Sequence, residues 1–173
     1  MNTPTYIIVH HSGGSDANPL QDSSNYSFVQ CNIDHKNNPN INLGHPSSLG
    51  YYIGYHYYIE KDGSVHQGRA DTDVGAHCKG YNDKSIGICL AGNFDLTLPT
   101  LAQTDSLAKL LTEKSVQYGI PKEKIVPHRA FAVKTCFGKN LRDDWARNLV
   151  KALPSSSNQD IIKQITDLLK LIK

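Results

Sequence analysis

Apolar positions fall in short bursts along this chain, and the period of the bursts changes. Positions 6–9 (Tyr-Ile-Ile-Val) form a four-residue apolar run rich in β-branched and aromatic side chains. His10, His11, Ser12, Gly13 and Gly14 follow it. This predicts a short buried strand that ends in a loop. Tyr26, Val29 and Ile33 then recur on one helical face, predicting a helix from Asp22 or Ser23 to about Lys36. Positions 37–50 are rich in Asn, Pro, Gly and Ser and predict a loop. Positions 55–59 and 65–67 flank Lys61-Asp62-Gly63-Ser64, a β-hairpin signature around an Asp-Gly turn. Positions 85–90 read as a second core strand, stopped by Ala91-Gly92-Asn93. Thr100 with Gln103 is a capping box, opening a helix that turns Leu107, Leu110, Leu111 and Tyr118 inward. Gly119 and Pro121 stop it. Ile125-Val126 is a short extended segment, and Leu141, Trp145, Leu149 and Leu153 at spacing four predict a helix over 141–153. Strands interleaved with helices imply an α/β fold, a central mixed β-sheet flanked by helices.

Pro154-Ser155-Ser156-Ser157 breaks the pattern and divides the chain into a folded domain over 1–153 and a tail over 154–173. In the tail Ile161, Ile162, Ile165, Leu168, Leu169 and Ile172 share one helical stripe. Two readings stay open: a helix docked on the parent domain, or an exposed amphipathic helix for membrane contact or self-association.

Composition narrows the classes. The chain has 173 residues, about one domain by length, and needs no disulfide scaffold at that size. Hydrophobic residues at 39% and charged residues at 20% exclude a disordered chain and a membrane bundle. A net charge of +2 argues against a strong nucleic-acid binder. Positions 121–151 are locally basic, with eight Lys/Arg against three acids, a net +5. An anionic substrate and a solvated helix face account for that equally well. The first residues lack the basic start and 7–15-residue apolar stretch of a secretory signal, so cytoplasmic synthesis is expected. Cys31, Cys78, Cys89 and Cys136 are then expected to be reduced.

Three residues stand out among the candidates for chemistry. His10 lies where a buried strand meets a Gly-rich loop, His128 follows Pro127 after an extended segment, and Cys136 lies close behind in Lys134-Thr135-Cys136-Phe137-Gly138. Two imidazoles and a thiolate make a three-ligand zinc set with a fourth position left open, the arrangement of a catalytic site. His and Cys together favour zinc over magnesium or calcium. The spacing is not that of a zinc finger, and three unrelated polar residues at loop ends fit it as well. His11 competes with His10, but neighbouring side chains of a strand point to opposite faces, so only one can face a metal.

Six motifs in order resemble one family: Val-His-His-Ser-Gly-Gly at 9–14, Gly-Tyr-His-Tyr-Tyr-Ile at 54–59 with Lys-Asp-Gly after it, Gly-Ala-His at 75–77, Tyr-Asn-Asp-Lys-Ser-Ile-Gly-Ile at 81–88, Gly-Asn-Phe at 92–94, and Pro-His-Arg followed by Lys-Thr-Cys-Phe-Gly. Together they look like the zinc-dependent N-acetylmuramoyl-L-alanine amidases, a family that includes phage lysozyme-type amidases and shares its fold with animal peptidoglycan recognition proteins. The likeness runs from about Tyr6 to about Leu153. It implies zinc held by His10, His128 and Cys136, catalytic roles for Tyr55 and Lys134, and positions near the peptidoglycan groove for His77 and Asn93. Some bacterial relatives carry a catalytic Glu where this chain has Cys89, so no carboxylate base is expected there. Non-catalytic recognition proteins typically lose the cysteine ligand, which this chain keeps.

The resemblance therefore implies hydrolysis of the bond between N-acetylmuramic acid and L-alanine in peptidoglycan, most simply by a phage or prophage endolysin that reaches the wall after release. The alternatives are a cytosolic amidase recycling muropeptides and a module that binds peptidoglycan without cutting it. A further role implied by some phage relatives, inhibition of an RNA polymerase, has no surface specified in the sequence.

Overall fold

The computed structural model describes residues 1–14, 18–41 and 44–150. The last positions of the helix expected over 141–153, the 154–157 break and the stripe from Ile161 to Ile172 lie outside the described residues.

Five strands form one mixed sheet in the order β3-β2-β4-β1-β5. They are β1 (Tyr6–His11), β2 (Tyr57–Ile59), β3 (Val65–Gln67), β4 (Ser85–Leu90) and β5 (Ile125–Pro127). β1 pairs in parallel with both β4 and β5, β4 pairs in parallel with β2, and β2 and β3 form the antiparallel hairpin. The central strands β1 and β4 are covered on both faces, which is why they read as unbroken apolar runs.

Alternation along β1 splits the interior in two. Ile7 and Val9 face a large core with Ile86, Ile88, Leu90, Leu107 and Leu111. That core is closed by α2 (Leu101–Tyr118) and α3 (Trp145–Leu149). Cys89 and Tyr58 face a smaller cluster with Phe28, Cys31 and Ile53, under α1 (Phe28–Asn37). α2 has the expected capping box, with Thr100 Oγ1 accepting from the Gln103 N–H and Gln103 Oε1 accepting from the Thr100 N–H. Gly119 ends it in the left-handed conformation, φ +63°, where only glycine is free of strain.

Three expectations need correction. β1 continues through His10 and His11, because its ladder with β4 runs on to the His11–Leu90 pair. α1 starts at Phe28, capped by Ser27, because the Asp22 side chain closes its own turn on the Ser24 N–H. Its buried residues are Phe28 and Cys31, whereas Val29 and Ile33 are 63% and 45% exposed. α3 is a single short turn and a half, since Val150 already has extended dihedrals. No described helix is long and apolar enough to cross a membrane.

Candidate metal centre

The sheet brings His10 and His128 together by register. β1 pairs with β5 at Val9 and Pro127, and the next residue along the chain from each is a histidine. Their rings lie 4.5 Å apart between centroids. Both sit at the carboxyl ends of parallel strands, where crevices open in α/β sheets. His11, on the opposite face, is not free to join them: its Nδ1 accepts the Phe94 N–H at 3.0 Å.

Cys136 arrives on the loop after β5, and the loop is held by charge. The Arg129 guanidinium donates to the carbonyls of Thr135, Gly138 and Leu141 and pairs with Asp143. The Arg129 N–H also donates to the Cys136 carbonyl at 2.7 Å. From the other side the Asp95 carboxylate accepts the Thr135 hydroxyl and the Lys139 N–H, both at 2.7 Å. One ligand atom each from His10, His128 and Cys136 falls within 4.8 Å of the others.

That donor set fits zinc. Zinc–nitrogen and zinc–sulfur bonds at a tetrahedral angle separate the two donor atoms by about 3.6 Å. Cys136 Sγ lies 3.7 Å from His10 Nδ1. Burial lowers both imidazoles, His10 well below its ordinary value and His128 to about 4 with Lys134 adding to the effect, so both are neutral and able to ligate. Burial pushes the Cys136 thiol up to about 12 in the metal-free pocket, so a bound cation must displace its proton.

Comparison with known proteins shows the family. The family model for N-acetylmuramoyl-L-alanine amidases matches residues 1–139. The chain belongs to that family. It is 33% identical to the endolysin of Escherichia phage T7 over 141 residues, 74% of this chain and 89% of the phage protein. It is 32% identical to peptidoglycan-recognition protein SC2 of Drosophila melanogaster over 144 residues, 81% of this chain and 71% of that one. Among solved structures, the endolysin N-acetylmuramoyl-L-alanine amidase LysCS from Clostridium intestinale superposes with a TM-score of 0.64 at 27% identity, covering 87% of this chain and 86% of the other.

The His10, His128 and Cys136 cluster opens into a groove of about 630 Å³ lined by His10, Tyr55, His77, His128, Lys134 and Cys136, among others. Six of the seven residues singled out in the sequence thus meet in one place. The Tyr55 ring lies 5.0 Å from that of His10, and burial holds its phenol protonated, well above the ordinary value. Lys134 stands exposed on the wall. Asn93 does not line the groove: it is 1% exposed and donates its amide to the carbonyls of Pro19 and Gln21, pinning that loop beside the site. Cys89 is fully buried under α1, next to His10 on the sheet, so no carboxylate stands at that strand position. Asp95 does line the groove, but against the upward push of burial its bonds from Thr135 and Lys139, with the His11 and Lys139 charges, hold its carboxyl below the usual value as a loop anchor.

Sequence reasoning missed Arg129, Asp95 and His35. His35 Nδ1 accepts the Gly54 N–H at 2.9 Å, and its ring packs on Tyr55 at 5.5 Å. Arg129 had a signal, its place beside His128. His35 had none, because a lone histidine on a helix reads as surface.

Proposed function

We propose that this chain is a zinc-dependent amidase that cleaves the bond between N-acetylmuramic acid and L-alanine in peptidoglycan, acting as a phage or prophage endolysin. The single observation that carries the reading is the His10, His128 and Cys136 cluster at the base of an open groove. The family, together with the endolysins among its relatives, supports the substrate and the setting.

His10, His128 and Cys136 would hold the ion. When bound, zinc supplies Lewis acidity, polarising a carbonyl and lowering the pKa of water at the site. Tyr55 would donate its retained phenolic proton as a hydrogen bond toward the scissile carbonyl oxygen. Lys134, on the groove wall, would meet the negative charge that develops there. A preorganised donor of this kind is worth about 3–4 kcal/mol. Asp95 and Arg129 would keep the loop carrying Lys134 and Cys136 in register. Wall access would follow release from the cell, and the apolar stripe from Ile161 to Ile172 would assist membrane contact or self-association.

The test pairs composition with chemistry. Zinc is quantified in the purified protein, which is then incubated with purified sacculi with and without a chelator. One zinc per chain and chelator-sensitive appearance of new L-alanine N-termini are expected. Sacculi that are bound but not cut would replace the reading with a recognition module. Activity on soluble muropeptides alone would replace the endolysin with a recycling enzyme.

A further inference from the structure

His77 is 9% exposed at the groove and has no part in the chemistry proposed above, yet its surroundings are built for an imidazole. Its own N–H and that of Cys78 both donate to Asn82 Oδ1, at 2.9 and 2.8 Å, which fixes the backbone. Two glycines make room for the ring. A Cβ at Gly87 would stand 2.5 Å from His77 Cδ2, and one at Gly75 would stand 2.6 Å from the same atom. Neither glycine has a positive φ, so the space, not the backbone, requires them.

The hydrogen bonds around that ring have one consistent direction. The Ser85 hydroxyl lies 2.6 Å from the Tyr81 carbonyl, which can only accept, so the single hydroxyl hydrogen points there. The Ser85 oxygen, 3.4 Å from His77 Nε2, is therefore the acceptor, and Nε2 carries the His77 proton. A neutral ring has only one N–H, so His77 Nδ1 is a bare acceptor. It lies 3.0 Å from His10 Nε2, which must then be the protonated nitrogen of His10. That leaves His10 Nδ1 with its lone pair free, and this is the atom 3.7 Å from Cys136 Sγ.

We propose that Ser85 and His77 form a relay that fixes the tautomer of His10, presenting Nδ1 to the metal centre and holding the ring at the angle ligation needs. His77 is thus a positioning residue rather than a substrate contact. The inference rests on the metal-binding reading for its consequence, but the tautomer itself is a property of the metal-free chain. Partners that orient a ligating histidine typically contribute ten- to a hundred-fold in metal affinity.

The experiment has two readouts. Two-bond nitrogen–proton spectra of metal-free protein report which nitrogen of His10 is protonated, and competition with a chromogenic chelator reports zinc affinity. The wild type is expected to show His10 protonated at Nε2. His77→Phe keeps a ring but removes the acceptor, and should mix the His10 tautomers and weaken zinc ten- to a hundred-fold. His77→Gln, which restores an acceptor, should recover part of that loss. If His77→Phe does not fold, Ser85→Ala and Gly87→Ala test the same chain, by freeing the His77 tautomer and by displacing its ring. A wild-type His10 protonated at Nδ1, or a folded His77→Phe with unchanged zinc affinity, would overturn the relay. A correct tautomer in a protein that binds no zinc would leave the relay standing and overturn the metal centre.

Discussion

Lys134 and Cys136 lie two positions apart on the same loop, and the loop turns one side chain out and the other in. Lys134 is exposed on the groove wall, whereas Cys136 is buried against His10. Substitution should separate their contributions. Cys136→Ser should lose most of the bound zinc together with activity, because a neutral hydroxyl is a far poorer ligand than a thiolate. Lys134→Ala should keep its zinc and lose about a hundred- to a thousand-fold in kcat, the scale of one preorganised donor. Metal analysis beside turnover on sacculi checks both, and a Lys134→Ala variant with wild-type turnover removes that residue from the chemistry. Arg129 acts one step back. Its guanidinium reaches three carbonyls and a carboxylate at once, a forked pattern that an ammonium cannot reproduce. Arg129→Lys should therefore behave like Arg129→Ala, lowering zinc affinity while Lys134 and Cys136 are both still present. Full zinc affinity in Arg129→Lys would show that one contact alone sets the loop.

At the scale of elements, α2 depends on a cap with two unequal halves. Thr100 is half-buried; its Oγ1 accepts the Gln103 N–H and donates to the exposed Lys61 carbonyl. Gln103 is buried, and its amide also donates to the Ala91 carbonyl at 2.8 Å, tying the helix start to the end of β4. Thr100→Ala should cost about 1 kcal/mol, the usual worth of such a cap. Gln103→Ala should cost more, about 2–3 kcal/mol, because it also strands a buried carbonyl. Urea unfolding of the two variants checks the order, and equal losses would mean that the cap alone matters. Gln103 was legible as a cap because its spacing from Thr100 is local, and β4 was legible because every residue in it is buried. α1 was misread for a physical reason. Its inward side carries polar groups: Asn32 Oδ1 accepts the N–H groups of Tyr52 and Ile53, and His35 accepts that of Gly54. The helix serves as a rail of acceptors for the segment leading to Tyr55, so apolar periodicity pointed to the wrong face. The end of β1 was misplaced similarly, since two histidines look like a loop until the sheet buries them. The metal ligands were found through their motif order, whereas the Ser85–His77–His10 chain depends on bond directions that no spacing encodes.

Across the whole molecule, histidine burial sets a pH limit on stability. Of eight histidines, burial lowers six: His10, His11, His35, His56, His77 and His128. His56 and His35 are not among the three candidate ligands, and both are brought to about 4, chiefly by burial. Each uses Nδ1 to accept a backbone N–H, from Gly87 and from Gly54, so protonation there would cost a hydrogen bond as well as desolvation. In the unfolded chain an ordinary histidine binds its proton below about pH 6.5. Between about pH 6.5 and pH 4 the unfolded state therefore holds more protons than the folded one, and stability rises with pH across that window. The stabilisation is fully present above pH 6.5 and is lost as pH falls. At pH 5 each of these two histidines accounts for a loss of about 2 kcal/mol relative to pH 7, from about 1.36 kcal/mol per pH unit. The other four act in the same direction, so metal-free protein should lose stability steeply on mild acidification, before its carboxylates titrate. Urea midpoints of chelator-treated protein from pH 7.5 to pH 5 measure the slope, and His56→Gln should reduce it by about one proton. A stability that stays flat over that range, or a slope that His56→Gln leaves unchanged, would mean that the buried imidazoles take up protons without opening the fold.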